Sequence, residues 1–576
     1  MKKQDVFYDL LTPQGEQLGQ TPWQSYPRPQ FRREGWLNLN GRWDFTVSDS
    51  PEQPDTYAHQ ILVPFAPETL LSGLKLSDLE GKYLFYRTTF SVPEEAAGKR
   101  ILLHFGAVDQ YATVWINGTL VGEHEGGYQH FTFDITDHLV KENTLIVQAV
   151  DHMSSHRLPY GKQRRDRGGM WYTPTTGIWQ TVWLEWVPEH HIRTFYAKPG
   201  KGYVDYFSDP DISGTLTLYD GVCSLEVYLK NGHIRIPMVR PRYWCPEDPF
   251  LYRMVLKTDE DQVESYFAIR ELSVREVDGV QRLCLNGKPY FFHGILDQGY
   301  WSDGGLTPAD PSCYEWDIAT MQSLGFNMLR KHIKVEPDEF YYACDRMGMI
   351  VFQDMVNNGD YNYLRDTVLP TFNLGKKRSD AKLQKDPRVK ELFLRSMEQT
   401  VEQLQYHPCI CCWTIYNEGW GQVDASGAYR RLKELDDSRF IDTASGWYSG
   451  CESDVVSEHI YFRPFRAGKT DKPLFLSEFG GYSYPVEGHC FHPAKAYGYR
   501  SYTDAESYTR GLVELFERDV IANIPKGLCA SVYTQVSDVE DEINGLVTFD
   551  RKVVKVRADV MRDLAARMVI AGEAEV

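Results

Sequence analysis

Short runs in which apolar and polar residues alternate fill the chain from its start to about Trp186. Tyr83–Val92, Ile101–Phe105, Ala112–Ile116 and Thr144–Val150 are of this kind. Every second side chain then points to one face, which predicts half-buried β-strands. Asn117-Gly118 follows Ala112–Ile116 directly, and an Asn-Gly pair supplies the positive φ angles of a two-residue hairpin turn. Closely spaced short strands predict a β-sandwich over residues 1–186. Residues 187–274 repeat the pattern on a smaller scale, in Gly214–Tyr219, Ser224–Tyr228 and Val263–Ile269, and their number predicts an immunoglobulin-like sandwich.

After Val274 the rhythm becomes strand, helix, strand, helix. Predicted strands are Pro289–Ile295, Asn327–His332, Ile350–Asp354, Ile410–Asn417, Phe440–Ser445, Val455–Tyr461, Leu474–Glu478 and Leu528–Gln535. Between most of them apolar residues recur at helical spacing, in Trp316–Leu324, Glu339–Met347, Glu391–Gln405, Tyr429–Leu435 and Ala505–Ile521, and Ala558–Ile570 closes the series. Eight strands, each followed by a helix or a long loop, predict a (β/α)8 barrel over residues 275–576. A doubly wound open sheet is the alternative, and it lacks the Gly-rich phosphate loop expected at its first strand–helix turn.

Composition narrows the partners. Charge sums to 62 − 80 = −18, which repels nucleic acid and anionic membrane surfaces. No apolar run of about 18 residues is present, and the opening MKKQDVFYDLLTPQGEQ has no apolar stretch behind its lysines, so neither a membrane span nor a secretory signal is expected. Aromatic residues make up 14%, consistent with β-rich cores or with a site that stacks on flat ligand faces. The 11 cysteines are scattered, and Cys409, Cys411 and Cys412 lie in an apolar run, which predicts reduced core thiols in a cytoplasmic protein. A metal site there is disfavoured, because a strand sends Cys411 and Cys412 to opposite faces.

In (β/α)8 barrels the chemistry gathers at the C-terminal ends of the strands. The residues that end these runs are Arg330 and His332, Asp354, Asn417 and Glu418, His459 and Tyr461, Glu478, and Gln535. Glu418 and Glu478 are lone acids at the mouths of buried strands four and seven, where an ionised carboxylate is costly without partners. Two carboxylates in unlike environments across one mouth suit glycosidic bond cleavage, one holding a proton for the leaving oxygen and the other ionised toward C1. Carboxyls about 5–5.5 Å apart imply retention through double displacement, and about 6.5–9.5 Å implies inversion.

These residues bring out a resemblance to glycoside hydrolase family 2, which holds β-galactosidases, β-glucuronidases and β-mannosidases. It rests on Gly35–Phe45, on Trp115-Ile-Asn-Gly118 with Gly126-Gly127-Tyr128, on Gly177–Trp183, on Leu285-Asn-Gly-Lys-Pro289, and on Tyr416-Asn-Glu-Gly419 and Ser477-Glu-Phe-Gly480. The resemblance implies a sugar-binding jelly roll at the N-terminus, and it implies Glu418 as acid/base and Glu478 as nucleophile of an exo-acting retaining enzyme. It further implies that Asn417 binds the sugar 2-hydroxyl, that Tyr461 and Arg330 tune Glu478, that His332, Asp354 and His459 complete the subsite, and that Trp447 offers an apolar face. Arg330 has a second reading as a structural ion pair, and His332, Asp354, His459 and Trp447 have one as packed or hydrogen-bonded core.

The glucuronidase branch is associated with an Asn-x-Lys motif after the eighth strand, absent from Ser537–Leu546, where Asp538, Glu540, Asp541 and Glu542 are expected to repel a uronate. The loop Leu296–Asp303 also lacks the family's His-Glu-Asp pattern. A β-galactosidase-like activity on a small glycoside or oligosaccharide is therefore expected. β-Glucuronidase stands next, then β-mannosidase or an arabinoside-cleaving enzyme, with an inactive carbohydrate-binding protein as the alternative of another class. The chemistry calls for no cofactor, since side chains carry both proton transfer and attack. The family implies a homo-oligomer. The long connection from Met355 to about Asp386 reads as a loop without structure of its own that walls the aglycone side or meets a second subunit, with Lys376-Lys377-Arg378 a solvated tip.

Overall fold

The computed structural model describes residues 7–371, 374, 380, 383–384, 386–448, 450–495 and 497–570. The basic run Lys376-Lys377-Arg378 lies outside the described residues.

The alternating N-terminal runs pair into two antiparallel sheets. One has six strands, ordered His59–Val63, Gly41–Ser48, Tyr83–Phe90, Asn143–Val150, Tyr111–Ile116 and Thr119–Glu125. The other has four, ordered Trp36–Asn38, Val182–Val187, Arg100–Phe105 and Phe131–Asp134. Their inward residues, among them Trp43, Phe45, Leu103, Val114 and Val147, form one buried core. Along Tyr111–Ile116 every second residue is buried, so the period read from sequence is the period of burial. A second sandwich packs a three-stranded sheet (Phe195–Gly200, Tyr203–Ser208, His233–Pro237) against a four-stranded one (Ser224–Leu229, Gly214–Tyr219, Tyr252–Lys257, Gln262–Phe267) around Tyr206, Leu216 and Leu256.

A hairpin, Leu272–Val277 with Val280–Leu285, pairs with Lys288–Pro289 and leads into the barrel. The barrel strands are β1 (Phe292–Asp297), β2 (Met328–Lys331), β3 (Ile350–Asp354), β4 (Ile410–Asn417), β5 (Phe440–Ser445), β6 (Val456–Ile460), β7 (Leu474–Gly480) and β8 (Leu528–Thr534). All pair in parallel, in the order β5-β4-β3-β2-β1-β8-β7-β6. The ladder is broken between β5 and β6 among the described residues, and there the Ser457 hydroxyl donates to Asp442 (2.8 Å) across the seam. The outer helices are α1 (Ser312–Ser323), α2 (Asp338–Met347), α3 (Pro387–Leu404), α4 (Ala425–Leu435), α5 (Ala505–Asp519) and α6 (Ala558–Ala565).

The expected first strand lies too early by about a turn's width, because Lys288–Pro289 belongs to the entry hairpin and the ladder begins only at Phe292. Helix α3 starts four residues before its apolar stripe, at Pro387, where Asp386 caps it by accepting from the Arg388 N–H (3.0 Å). The connection after β3 has structure of its own, a π-helical turn Leu364–Val368 running into the short helix Leu369–Thr371, contrary to the expectation of an unstructured loop. Cys409, Cys411 and Cys412 are buried and free. Among the described residues no helix is long and apolar enough to cross a membrane.

Buried charge joins the domains. Glu185, on the last strand of the first sandwich, takes Arg28 (2.6 Å) and Arg33 (3.4 Å), and Arg33 reaches on to Asp261 of the second sandwich (2.8 Å) and to the Ile192 carbonyl. Breaking a buried pair strands its partner and costs about 3–5 kcal/mol. Arg33→Met is therefore expected to lower stability by about 3 kcal/mol, read as an earlier urea midpoint, and an unchanged midpoint would show the junction to be held by apolar packing alone.

Candidate active site

Arg330, near the end of β2, is 1% exposed and spends its guanidinium inside the barrel mouth. Nε and Nη2 form a fork on Asp354 (2.9 and 3.1 Å), Nη2 also donates to Asn417 Oδ1 (2.9 Å), and Nη1 donates to the Ser477 carbonyl (3.0 Å) and Glu478 Oε1 (3.2 Å). Strands β2, β3, β4 and β7 are thus tied to one planar cation, a geometry that suits Arg and not Lys. Asp354 is held below the usual carboxylate range, because Arg330 and His332 outweigh the effect of its burial. His332 Nδ1 lies 2.8 Å from Asp354, and burial lowers its pKa to about 4, so the ring is neutral at pH 7.

Glu418 and Glu478 face each other across this frame. One carboxylate oxygen of each, together with a His459 ring nitrogen, lies within 4.8 Å of the other two. Glu418 follows β4 with φ of 53°, a left-handed conformation rare outside glycine, and costs of this kind concentrate at functional sites. Glu478 sits where the register of β7 slips against β8, and its partner His459 sits where β6 slips against β7. Bulges of this sort re-aim side chains. His459 Nδ1 lies 2.9 Å from Glu418 Oε1 and 3.5 Å from Glu478 Oε2. Its Nε2 faces Arg330 Nη1 (3.4 Å), which can only donate, so Nδ1 carries the proton and donates to Glu418. Tyr461 OH donates to Glu478 Oε2 (2.5 Å).

The two carboxyls are driven apart in acidity. Burial raises Glu418, and the nearby Glu478 charge adds to this against the opposing His459 hydrogen bond. Burial would raise Glu478 too, but His459 and Arg330 outweigh it and hold Glu478 well below the usual range. One acid is set to keep its proton while the other stays ionised. A cation is a poor fit to this trio, because the His459 N–H points at Glu418 and Arg330 already neutralises Glu478.

The pair opens into a cleft of about 580 Å³. Of the residues expected from sequence, Asn417, Glu418, Trp447, Tyr461 and Glu478 line it. Arg330, His332, Asp354 and His459 lie buried around them, and Gln535 lies below, accepting from Gln298 (2.7 Å) and donating to Asn544 (2.9 Å) and Glu542 (3.2 Å). Tyr363, Thr367 and Val368 of the long connection form part of the wall. Trp171 and Trp420 stack at 5.0 Å and 17° on the cleft wall, with Arg164 3.6 Å over Trp171. A second groove of about 700 Å³, where the sandwiches meet α2, has its Arg253 and Glu264 spent on each other (2.7 Å).

A further wall comes from the first sandwich, whose stretch Tyr160–Arg167 reads from sequence as a candidate cleft loop that sequence alone does not place. Lys162, Gly168, Gly169, Met170 and Trp171 reach the cleft from the first sandwich. Gly161 lets the chain in: its φ is 68°, and a Cβ there would sit 2.9 Å from Tyr128 OH. Arg167 then clamps Glu540 (2.5 Å) and Asp541 (2.9 Å), and Tyr172 OH donates to Glu542 (2.6 Å). These pairs also correct the expectation of four acids facing a sugar. Glu540 and Asp541 are held by Arg167 and Asp538 by Lys555 (2.7 Å), which leaves Glu542 alone of the four on the cleft wall among the described residues. Arg167→Met is expected to speed amide exchange across 160–172 at least about tenfold while the barrel strands keep their protection; unchanged exchange in that loop would mean the clamp does not hold it.

Comparisons with known proteins accord with this layout. The family described as Glycosyl hydrolases family 2, TIM barrel domain, matches residues 276–568, and Glycosyl hydrolase 2 galactose-binding domain-like matches residues 67–177. A β-galactosidase of Thermoanaerobacter pseudethanolicus is 27% identical over 448 residues, 70% of this chain and 55% of that protein. A β-glucuronidase of Bacteroides fragilis is 25% identical over 481 residues, 77% of this chain and 65% of that protein. The chain thus spans between half and two thirds of these relatives' length. The solved structure of a β-D-glucuronidase for Dictyoglomus thermophilum superposes with a TM-score of 0.72 at 18% identity, covering 95% of this chain and 99% of that one, a likeness of fold.

Proposed function

The chain belongs to glycoside hydrolase family 2, and from that membership and the site geometry we propose that it is an exo-acting β-glycosidase that cleaves with retention of configuration. The observation that carries the reading is the close approach of Glu418 and Glu478, with oxygens within 4.8 Å and acidities shifted in opposite directions. That close approach of one oxygen from each carboxyl supports direct attack by one carboxylate over the water-mediated displacement of inverting enzymes, whose carboxyls stand about 6.5–9.5 Å apart.

In the first step an oxygen of Glu478 attacks C1 as the C1–O bond breaks, and Glu418 gives its proton to the departing oxygen. In the second, water attacks C1, its proton passes to the Glu418 carboxylate, and the bond to Glu478 breaks. Arg330 keeps Glu478 ionised before attack. Tyr461 donates to the other Glu478 oxygen and can shift that bond as the carboxylate becomes an ester. Asn417, its Oδ1 fixed by Arg330, leaves its amide N–H groups for a hydroxyl beside C1. The Trp171–Trp420 stack offers a flat apolar surface to the leaving group.

For the sugar, a galactoside remains the reading drawn from the missing Asn-x-Lys motif. A hexuronide stands beside it, because three of the four acids expected to repel a uronate are neutralised by Arg167 and Lys555, and Lys162 brings a cation into the cleft.

Glu418→Gln is expected to slow nitrophenyl glycoside hydrolysis by about 10²–10⁴-fold, the usual worth of acid–base assistance. Glu478→Gly with azide is expected to yield a glycosyl azide of inverted configuration, and Glu418→Gly one of retained configuration. In the wild type, activity requires Glu478 ionised and Glu418 protonated. It should therefore fall as pH rises through the raised Glu418 pKa and hold to low pH, where Glu478 is still charged. A first product of inverted configuration from the wild type, followed by NMR, would remove the double-displacement reading.

A further inference from the structure

Lys162 is 8% exposed and lies on the cleft wall, carried there from the first sandwich. Among the described residues no carboxylate oxygen comes within 4.0 Å of its ammonium and no hydrogen bond is made by it; the nearest ring, Tyr172, is centred 5.8 Å away. The charge is nevertheless surrounded by acids, and it acts on Glu418, Glu478 and Glu542 alike. Each of these is already engaged: Glu478 by Arg330 and Tyr461, Glu418 by His459, Glu542 by Tyr172 and Gln535. The stem of Lys162 is buried while its ammonium opens to the cleft, so the charge is held toward the cavity with no dedicated partner. Such a cation is retained where something that enters the cavity supplies the opposite charge.

The same cleft is also lined by Gln298, which carries a polar atom without a partner. Gln298, just past β1 and 3% exposed, donates its amide to Gln535 but leaves its Oε1 buried and unpaired among the described residues. An acceptor of this kind calls for a hydroxyl donor on the incoming molecule. Lys162 and Gln298, with Asn544 and Glu542 between the strand-eight loop and the cavity, therefore ask for a ligand that carries one anionic group and several hydroxyls on a ring of hexose size.

We propose that Lys162 is the residue that selects the sugar, by pairing with the carboxylate on C5 of a terminal hexuronide. This rests on the glycosidase reading above and names its substrate class. A neutral hexose presents a hydroxymethyl group at that position, which can accept a hydrogen bond but leaves the ammonium uncompensated once water is expelled, so the site discriminates against it.

The test uses the full chain with four p-nitrophenyl substrates: β-D-glucuronide, β-D-galacturonide and their neutral partners β-D-glucoside and β-D-galactoside. One uronide is expected to exceed its neutral partner in kcat/KM by about 10²-fold or more. Lys162→Met should lower that ratio by about 10²–10³-fold, with the loss on the uronide dominated by KM, while Lys162→Arg, which keeps the charge, should preserve the direction of preference. Free D-glucuronate or D-galacturonate should raise the melting temperature of the wild type more than the same concentration of D-glucose or D-galactose, an effect absent in Lys162→Met. A wild type that prefers the neutral sugars, or a Lys162→Met variant that slows both classes equally, overturns this inference and leaves the glycosidase reading standing. No turnover of any of the four substrates, combined with no hexuronate-specific stabilisation, overturns both.

Discussion

Everything at the barrel mouth depends on one guanidinium kept out of water. Arg330 holds four strands in register with the chemistry: Asp354 on β3, Asn417 on β4, and Ser477 and Glu478 on β7 all take its N–H groups. A buried arginine is tolerated only when its donors are used, and here the fork on Asp354 and three single bonds use them. Together with His459, the same charge holds Glu478 below the usual carboxylate range, so the group that positions Glu478 also helps keep it ionised. Across the cleft, Glu418 has His459 and burial but no guanidinium, and its carboxyl goes the other way. The asymmetry between two chemically identical side chains is therefore an asymmetry of which neighbour carries a fixed charge.

Strain accompanies that arrangement. Glu418 is held in a left-handed backbone conformation, and Glu478 and His459 face each other across two slips in the β6–β7–β8 ladder. Ladder geometry alone points alternate residues toward and away from the barrel axis, and it does not bring two glutamates and a histidine from separate strands to one spot. The slips and the left-handed turn make up the difference. The β6–β7 slip lies next to the β5–β6 seam that Ser457 and Asp442 bridge by side chains.

Much of this was legible before any coordinates. Polar residues closing short, mostly apolar runs mark strand ends, and Arg330, Asp354, Asn417, Glu418 and Glu478 sit at such closures. Element ends were less legible: Tyr290 and Phe291 extend the apolar run before β1 although pairing starts at Phe292, and the α3 cap at Asp386 lies outside the amphipathic stripe. Lys162 was legible only as part of Tyr160–Arg167, a candidate cleft loop that sequence does not place. It sits in a polar stretch between sandwich strands, and nothing local distinguishes it from Arg165, which is exposed on an ion pair with Asp78. Its meaning comes from docking across hundreds of intervening residues. The acids after β8 show the converse: they read as one negative patch until Arg167, from the same distant loop, takes two of them.

The loop 160–172 belongs by chain to a sandwich and by contact to the barrel, where Arg167 and Tyr172 tie it to Glu540, Asp541 and Glu542. Glu418 and Glu478 and the wall opposite them thus come from two different domains, pinned to each other by buried ion pairs. The shape of the cleft is therefore set by how one domain's loop is fastened to the other, at contacts that touch neither carboxylate.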